Sequence, residues 1–236
     1  MKKQLVIAVA AATMAMGALS VNAYEQGDIV LRAGLVTVAP DADSDPIVLP
    51  DPVGTLPNGV DVDNDTQISI IGTWMMSDNW GLEVLAATPF EHDIDLEDAP
   101  LPAGSTKHLP PTVSLQWYPR GNAEGWQPYV GVGVNYTKFF DEEVDPVLAG
   151  FLVENLPDLG INSAKLSLDD SWGVALQAGV DIPLGENWGL NAGVWYIDIG
   201  TTADVTLGLD GGSSATVSFD VDIDPWVYNV GVFYKF

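Results

Sequence analysis

The sequence predicts an all-β protein: an eight-stranded antiparallel transmembrane β-barrel with long extracellular loops and short periplasmic turns. Three observations carry this. Segments of about ten residues with apolar–polar alternation of period two recur along the chain. The connections between them alternate between tight turns and long stretches. Beyond the first twenty-odd residues, no apolar run approaches the ~18 residues of a transmembrane helix. A chain of this kind spans lipid only as a closed barrel, because lipid offers no hydrogen-bond partner to an open strand edge.

The first residues read as a secretory signal. Lys2 and Lys3 are a positive start, Leu5 to Leu19 is uncharged, and Val21-Asn22-Ala23 is a small-residue cleavage site. Residues 1–23 are expected to be removed, leaving residues 24–236 as a single barrel domain. The alternative, an uncleaved N-terminal anchor, is disfavoured by the short apolar run and the polar residues after it.

The eight strands are expected at Ile29–Pro40, Thr66–Met76, Trp80–His92, Lys107–Tyr118, Gln127–Phe140, Ser171–Pro183, Trp188–Ala203 and Ala215–Phe236. Ser77-Asp78-Asn79, Pro119 to Trp126, and Leu184 to Asn187 are short turns of Gly, Asn and Asp. Asp41 to Asp65, Asp93 to Thr106 and Asp141 to Asp170 are long and acidic, whereas the last connection, near Asp210-Gly211-Gly212, is short. Short turns belong on the periplasmic side, which puts both termini there. Trp74, Trp80, Trp117, Tyr118, Trp126, Trp172, Trp188, Trp226, Tyr228 and Tyr234 fall mainly near strand ends, where interfacial aromatic girdles belong. Val130, Val132, Val134 and Tyr136, and again Val174 to Ile182 on alternate positions, supply continuous lipid-facing stripes.

The formal net charge of −25 excludes nucleic acid as a partner and reads as solubility and colloidal repulsion. Cysteine is absent, which excludes disulfides, a thiol nucleophile and Cys-ligated metal.

Several local elements, in order, resemble the OmpW family of small outer-membrane proteins over nearly the whole mature chain. They are Val30-Leu31-Arg32-Ala33-Gly34, Asp78-Asn79-Trp80-Gly81-Leu82-Glu83, Thr88-Pro89-Phe90-Glu91-His92, Lys107-His108-Leu109-Pro110-Pro111-Thr112, Gln127-Pro128-Tyr129-Val130-Gly131 and the terminal Phe236. The chain departs from that family in its long acidic first loop and its strongly negative charge. The resemblance implies a barrel of the Gram-negative outer membrane, with a narrow hydrophobic lumen that helps small apolar molecules cross. The expected partners are outer-membrane lipid and lipopolysaccharide, small apolar solutes, and the barrel-assembly machinery, which in this class recognises a C-terminal aromatic.

Alternation assigns the strand faces independently of the resemblance. Near the periplasmic end Arg32, Glu83, Ser114, Gln116, Asn135, Gln177, Asp181, Asn191, Asn229 and Lys235 fall on the inner face. Eight strands enclose only enough room for side chains, so this set is expected to fill a polar plug, of which Arg32, Glu83, Gln116, Asp181 and Lys235 are the core. Arg32 and Lys235 are the expected partners of Glu83 and Asp181, since buried charges persist only when paired.

Higher up, Asp198, Asp220, Asp222 and Asp224 fall outward while Trp195, Ile197, Ile199, Val217, Phe219, Val221 and Ile223 fall inward. The barrel is therefore expected to rise above the bilayer, wet outside and apolar inside, as a cup for an apolar ligand. A bulge at Asp224-Pro225 that flips the face, or an ordinary extended loop, is the alternative. Pro89, Pro110 and Pro111 lie on adjacent strands and cannot donate to the ladder, so they are expected to weaken the wall and open it sideways.

Catalysis has little support. His92 and His108 are the two histidines, and neither sits in a nucleophile motif, although Ser105 lies near His108. A metal site from both histidines with Glu91 or Asp93 is chemically possible but weakly signalled. Asp61-Val62-Asp63-Asn64-Asp65 lacks the glycine and distal glutamate of a Ca²⁺ loop. No catalytic residue, metal or cofactor is expected. The competing reading is a structural or adhesive barrel whose loops bind external partners above a filled interior.

Overall fold

The computed structural model describes residues 24–49, 54–56, 59–97 and 101–236; the expected signal segment, residues 1–23, lies outside them. Eight strands form the barrel: β1 (Ile29–Ala39), β2 (Asp65–Ser77), β3 (Trp80–Ala87), β4 (Thr112–Trp117), β5 (Gln127–Val144), β6 (Ser171–Pro183), β7 (Trp188–Ile197) and β8 (Trp226–Lys235). Each pairs antiparallel with the next in sequence. β1 closes on β8, from Val30↔Lys235 to Ala39↔Trp226. No helix among the described residues is long and apolar enough to cross a membrane.

The faces follow the pleat. Trp226, Tyr228, Val230, Val232 and Tyr234 of β8 are exposed, while Val227, Asn229, Phe233 and Lys235 between them are buried. Val130, Val132 and Val134 of β5 are likewise about half exposed. Such stripes would be costly in water and are at no disadvantage against lipid tails. Trp74, Trp80, Trp117, Trp126 and Trp188 are exposed around the end where the short turns lie, and Trp172 and Trp226 around the other. Tyr118, expected in the girdle, instead points inward and is fully buried. Inside, glycines make room for large rings: a Cβ at Gly193 would stand 2.9 Å from Trp195 Cη2.

Above the membrane the strands continue, with breaks at one level. The strand expected over Trp80–His92 divides at Thr88-Pro89 and resumes as Phe90–Leu96. Leu101–Leu109 precedes β4 across Pro110-Pro111, and Gly200–Leu209 follows β7 across Asp198-Ile199. Ser214–Asp222 precedes β8 across Ile223, Asp224 and Pro225. Proline withholds a donor at three of these breaks. Aspartates take up the donors left over: Asp224 accepts from Ile199 N (3.1 Å) and the Tyr196 hydroxyl (3.0 Å). Asp170 accepts from the Tyr136 hydroxyl (2.6 Å), and Asp65 from Glu91 N (2.9 Å). The face does not flip at the last break, because Phe219, Val221, Pro225 and Val227 are all buried.

The upper wall consists of two sheets. One joins Val60–Val62, Phe90–Leu96, Leu101–Leu109 and the top of β5. The other joins Ile161–Leu168, Gly200–Leu209, Ser214–Asp222 and Asp43–Ser44. The stretches read as long loops are thus largely strand, and one holds a helix, α1 (Pro146–Asn155). It opens where Asp145 accepts from Val147 N (2.7 Å) with Pro146 in the first turn. Leu148, Leu152 and Leu156, spaced by four, form its inner stripe.

The absence of native cysteine makes the topology directly testable. Ser213→Cys and Val153→Cys, at exposed upper positions, should react with a membrane-impermeant thiol reagent on intact cells, whereas Asn122→Cys and Glu186→Cys, in the short turns, should react only after lysis. Labelling of Asn122→Cys on intact cells would reverse the orientation.

A candidate ligand cavity above a closed polar section

The lower lumen is filled by one connected polar cluster. Arg32 from β1 makes a two-pronged contact with Asp181 of β6, Nε to Oδ1 at 3.0 Å and Nη2 to Oδ2 at 2.6 Å. Its Nη1 donates to Thr73 Oγ1 (2.6 Å) and lies 3.4 Å from Glu83 Oε2, and Nη2 donates to the Tyr118 hydroxyl (3.0 Å). Glu83 also accepts from Gln116 Nε2 (2.5 Å) and Gln177 Nε2 (2.7 Å). Asp181 accepts further from Tyr24 (2.7 Å) and Asn191 (2.8 Å). Arg32 therefore meets both carboxylates, while Lys235 lies 3.4 Å from Asp28. This corrects the expected division of Glu83 and Asp181 between Arg32 and Lys235. Planar guanidinium geometry explains the preference, since a forked contact with Asp181 and a further N–H toward Glu83 suit arginine and not a point-charge ammonium.

Above this cluster an apolar layer packs across the barrel: Val36, Ile71, Leu85, Phe90, Phe139, Trp195, Ile197, Ile199 and Val227 are all nearly fully buried. Trp195, Ile197 and Ile199, expected to line the lumen, belong to this floor. The barrel at their level is narrow enough for side chains to fill it.

Over the floor lies a cavity of about 100 Å³. Val217, Phe219, Val221 and Ile223 line it, joined by Leu166, Leu168, Ala203 and Val205 of the same sheet and by Ile94, Leu96 and Ala103 of the other. Ile47, Leu49 and Leu56 of the first loop and Leu148 and Leu152 of α1 complete the wall. Sequence reasoning missed these last residues because they sat in stretches read as acidic loops. The signals were present in Ile47-Val48-Leu49 and in the Asp145-Pro146 helix start followed by leucines four apart.

His92 and His108 share the cavity wall, stacked in parallel with ring centroids 4.9 Å apart. His92 Nδ1 donates to the Asp63 carbonyl, and the Nε2 atoms of both rings are buried and meet no hydrogen-bond partner among the described residues. Burial lowers the pKa of His92, and burial together with the neighbouring His92 lowers that of His108 to about 3, so both rings are neutral at pH 7. Glu91 and Asp93 are exposed on the opposite face of their strand, and the cavity is lined by Gly104, Thr106 and His108 but not by Ser105. The metal set and the Ser–His pair considered from sequence are therefore not assembled. Asp61 and Val62 end one short strand and Asp65 begins β2, with Asp63 and Asn64 between them.

Pro89 and Pro111 are exposed and Pro110 is buried, all at the break between β3 and β4. Pairing there stops at Leu85↔Thr112 and resumes at Phe90↔His108, leaving residues 86–89 opposite 109–111 without a ladder.

The polar cluster can be tested by removing its cation. Arg32→Met leaves Glu83 and Asp181 buried without it and should cost roughly 3–5 kcal/mol, read as a lower urea midpoint in detergent micelles. An unchanged midpoint would mean that water reaches the cluster.

A model of the OmpW family matches residues 25–236. Outer membrane protein W of Escherichia coli is 40% identical over 238 residues, covering 100% of both chains. Outer membrane protein W of Vibrio cholerae is 38% identical over 228 residues, covering 94% of each. The crystal structure of outer membrane protein OprG from Pseudomonas aeruginosa superimposes with a TM-score of 0.77 at 40% identity, over 91% of this chain and 98% of that one. The chain is an outer-membrane β-barrel and belongs to the OmpW family.

Proposed function

We propose that this barrel carries small apolar molecules from the cell exterior into the outer membrane, taking them into the upper cavity and releasing them sideways at the break between β3 and β4. The observation that supports this most is the cavity itself, apolar on nearly every side and closed below by a packed floor and a charged cluster. Burial of an apolar solute is favourable by about 25 cal/mol per Å² removed from water, enough for a modest ligand to be held by a few kcal/mol and still leave. A solute halted at the floor has the proline-broken wall beside it and lipid beyond. Admission from outside requires the first loop and α1, which contribute to the cavity wall, to part.

A structural or adhesive barrel has no need of such a cavity, and a lipid-acting enzyme has no use for a serine and a histidine on opposite strand faces. In this reading the chain performs no catalysis. Lipid and lipopolysaccharide surround its outer stripes, and the assembly machinery that inserts it meets the terminal Phe236.

Phe219→Asp should lower uptake of an apolar probe several-fold in cells carrying correctly inserted protein, because a charge in the cavity resists desolvation and draws in water. Asp222→Asn, on the outer face, should leave uptake unchanged. Wild-type uptake by Phe219→Asp would remove the conduit reading and leave the structural barrel in its place.

A further inference from the structure

The polar residues of this apolar wall are His92, His108, Thr106 and Thr201; the threonine hydroxyls donate to backbone carbonyls, and the passage of pure hydrocarbons gives the histidine pair no role. His92 and His108 have relative exposures of 2% and 4%, both line the cavity, and each has a buried Nε2 that meets no hydrogen-bond partner among the described residues. Buried polar atoms are nearly always satisfied, so two orphans in one wall call for a ligand group. Their chemistry is specific. The Asp63 carbonyl accepts from His92 Nδ1, which fixes the proton there and leaves Nε2 of this neutral ring as an acceptor. The facing carboxylates Asp63, Asp65 and Asp93 do not overcome the burial of the pair. The wall therefore offers a lone pair that an alkane cannot use and a hydroxyl can. Phe90 stacks on His108 at 5.4 Å and Phe139 flanks it at 5.8 Å, which holds the rings in place and keeps the surroundings dry. The pair also stands immediately above the open ladder, since His108 is opposite Phe90, where pairing resumes.

We propose that His92 and His108 form a polar subsite that selects amphiphiles carrying a hydroxyl on an apolar chain or ring, seating that group at the level of the wall break while the tail lies in the apolar cavity. The proposal rests on the conduit reading and names its preferred cargo. An alcohol satisfies the His92 acceptor and loses little on leaving water, whereas a hydrocarbon of equal length leaves the acceptor unpaired.

The test compares 1-octanol with n-octane in cells carrying wild type, His92→Phe/His108→Phe and Phe219→Asp. The wild type should favour the alcohol, and the double variant should lower the octanol-to-octane uptake ratio roughly tenfold while sparing octane. Phe219→Asp should lower both. If Phe219→Asp lowers both and the double variant leaves the ratio unchanged, the subsite fails and the conduit stands; if Phe219→Asp lowers neither, the conduit itself fails. Should the double variant not insert, the wild type decides alone. Its two histidines give a simple imidazole ¹⁵N spectrum in lipid nanodiscs, and octanol should shift the Nε2 resonances where octane does not. Unmoved Nε2 resonances at saturating octanol would overturn the proposal.

Discussion

Closure of the hydrogen-bonded ladder is the constraint from which the rest of this structure follows. In lipid no water replaces a lost partner, so from β1 to β8 every membrane strand pairs on both sides and β1 meets β8 again. Closure with eight strands fixes a narrow interior. A narrow interior admits charges only if they are mutually satisfied, which is why Arg32, Glu83 and Asp181 come with Thr73, Gln116, Tyr118, Gln177 and Tyr24 around them. The polar cluster that closes the lower lumen is thus a product of the same geometry that lets the chain cross the membrane.

Where the wall leaves the bilayer, that constraint relaxes and the architecture changes at once. Prolines interrupt the ladder, aspartates accept the donors left over, and the single closed sheet gives way to two sheets. Inward residues then no longer meet across the barrel, and a cavity opens above a floor of Trp195, Ile197 and Ile199. The break at Pro89, Pro110 and Pro111 belongs to this transition.

Most of the barrel was legible in the sequence because membrane strands obey one rule at every position. Period-two alternation placed all eight, and it put Arg32, Glu83, Asp181 and Asn229 on the inner faces of β1, β3, β6 and β8, where these side chains are buried. What was not legible depended on distances across the lumen. Alternation puts Lys235 inside but cannot say that it stands by Asp28 while Arg32 reaches Asp181. It puts Trp195 and Phe219 on the same face but not at different heights, one in the floor and one in the wall. Tyr118 follows the inner parity of Ser114 and Gln116, and its place at a strand end suggested the girdle instead. The upper loops hid strand and helix because acidic, proline-rich composition masks the short apolar stripes of Ile47 to Leu49 and of α1.

The central claim is a cavity closed below and open at the side, and the two properties separate in one preparation. Ion conductance and uptake of an apolar dye can be measured on the same vesicles, with the barrel inserted in a lipopolysaccharide-bearing outer leaflet. The account predicts dye uptake above that of protein-free vesicles with no ion conductance, because the Arg32 cluster closes the lumen while the wall beside Pro89 does not. Uptake that rises only together with a steady ion current would mean a continuous pore through the barrel and would contradict it.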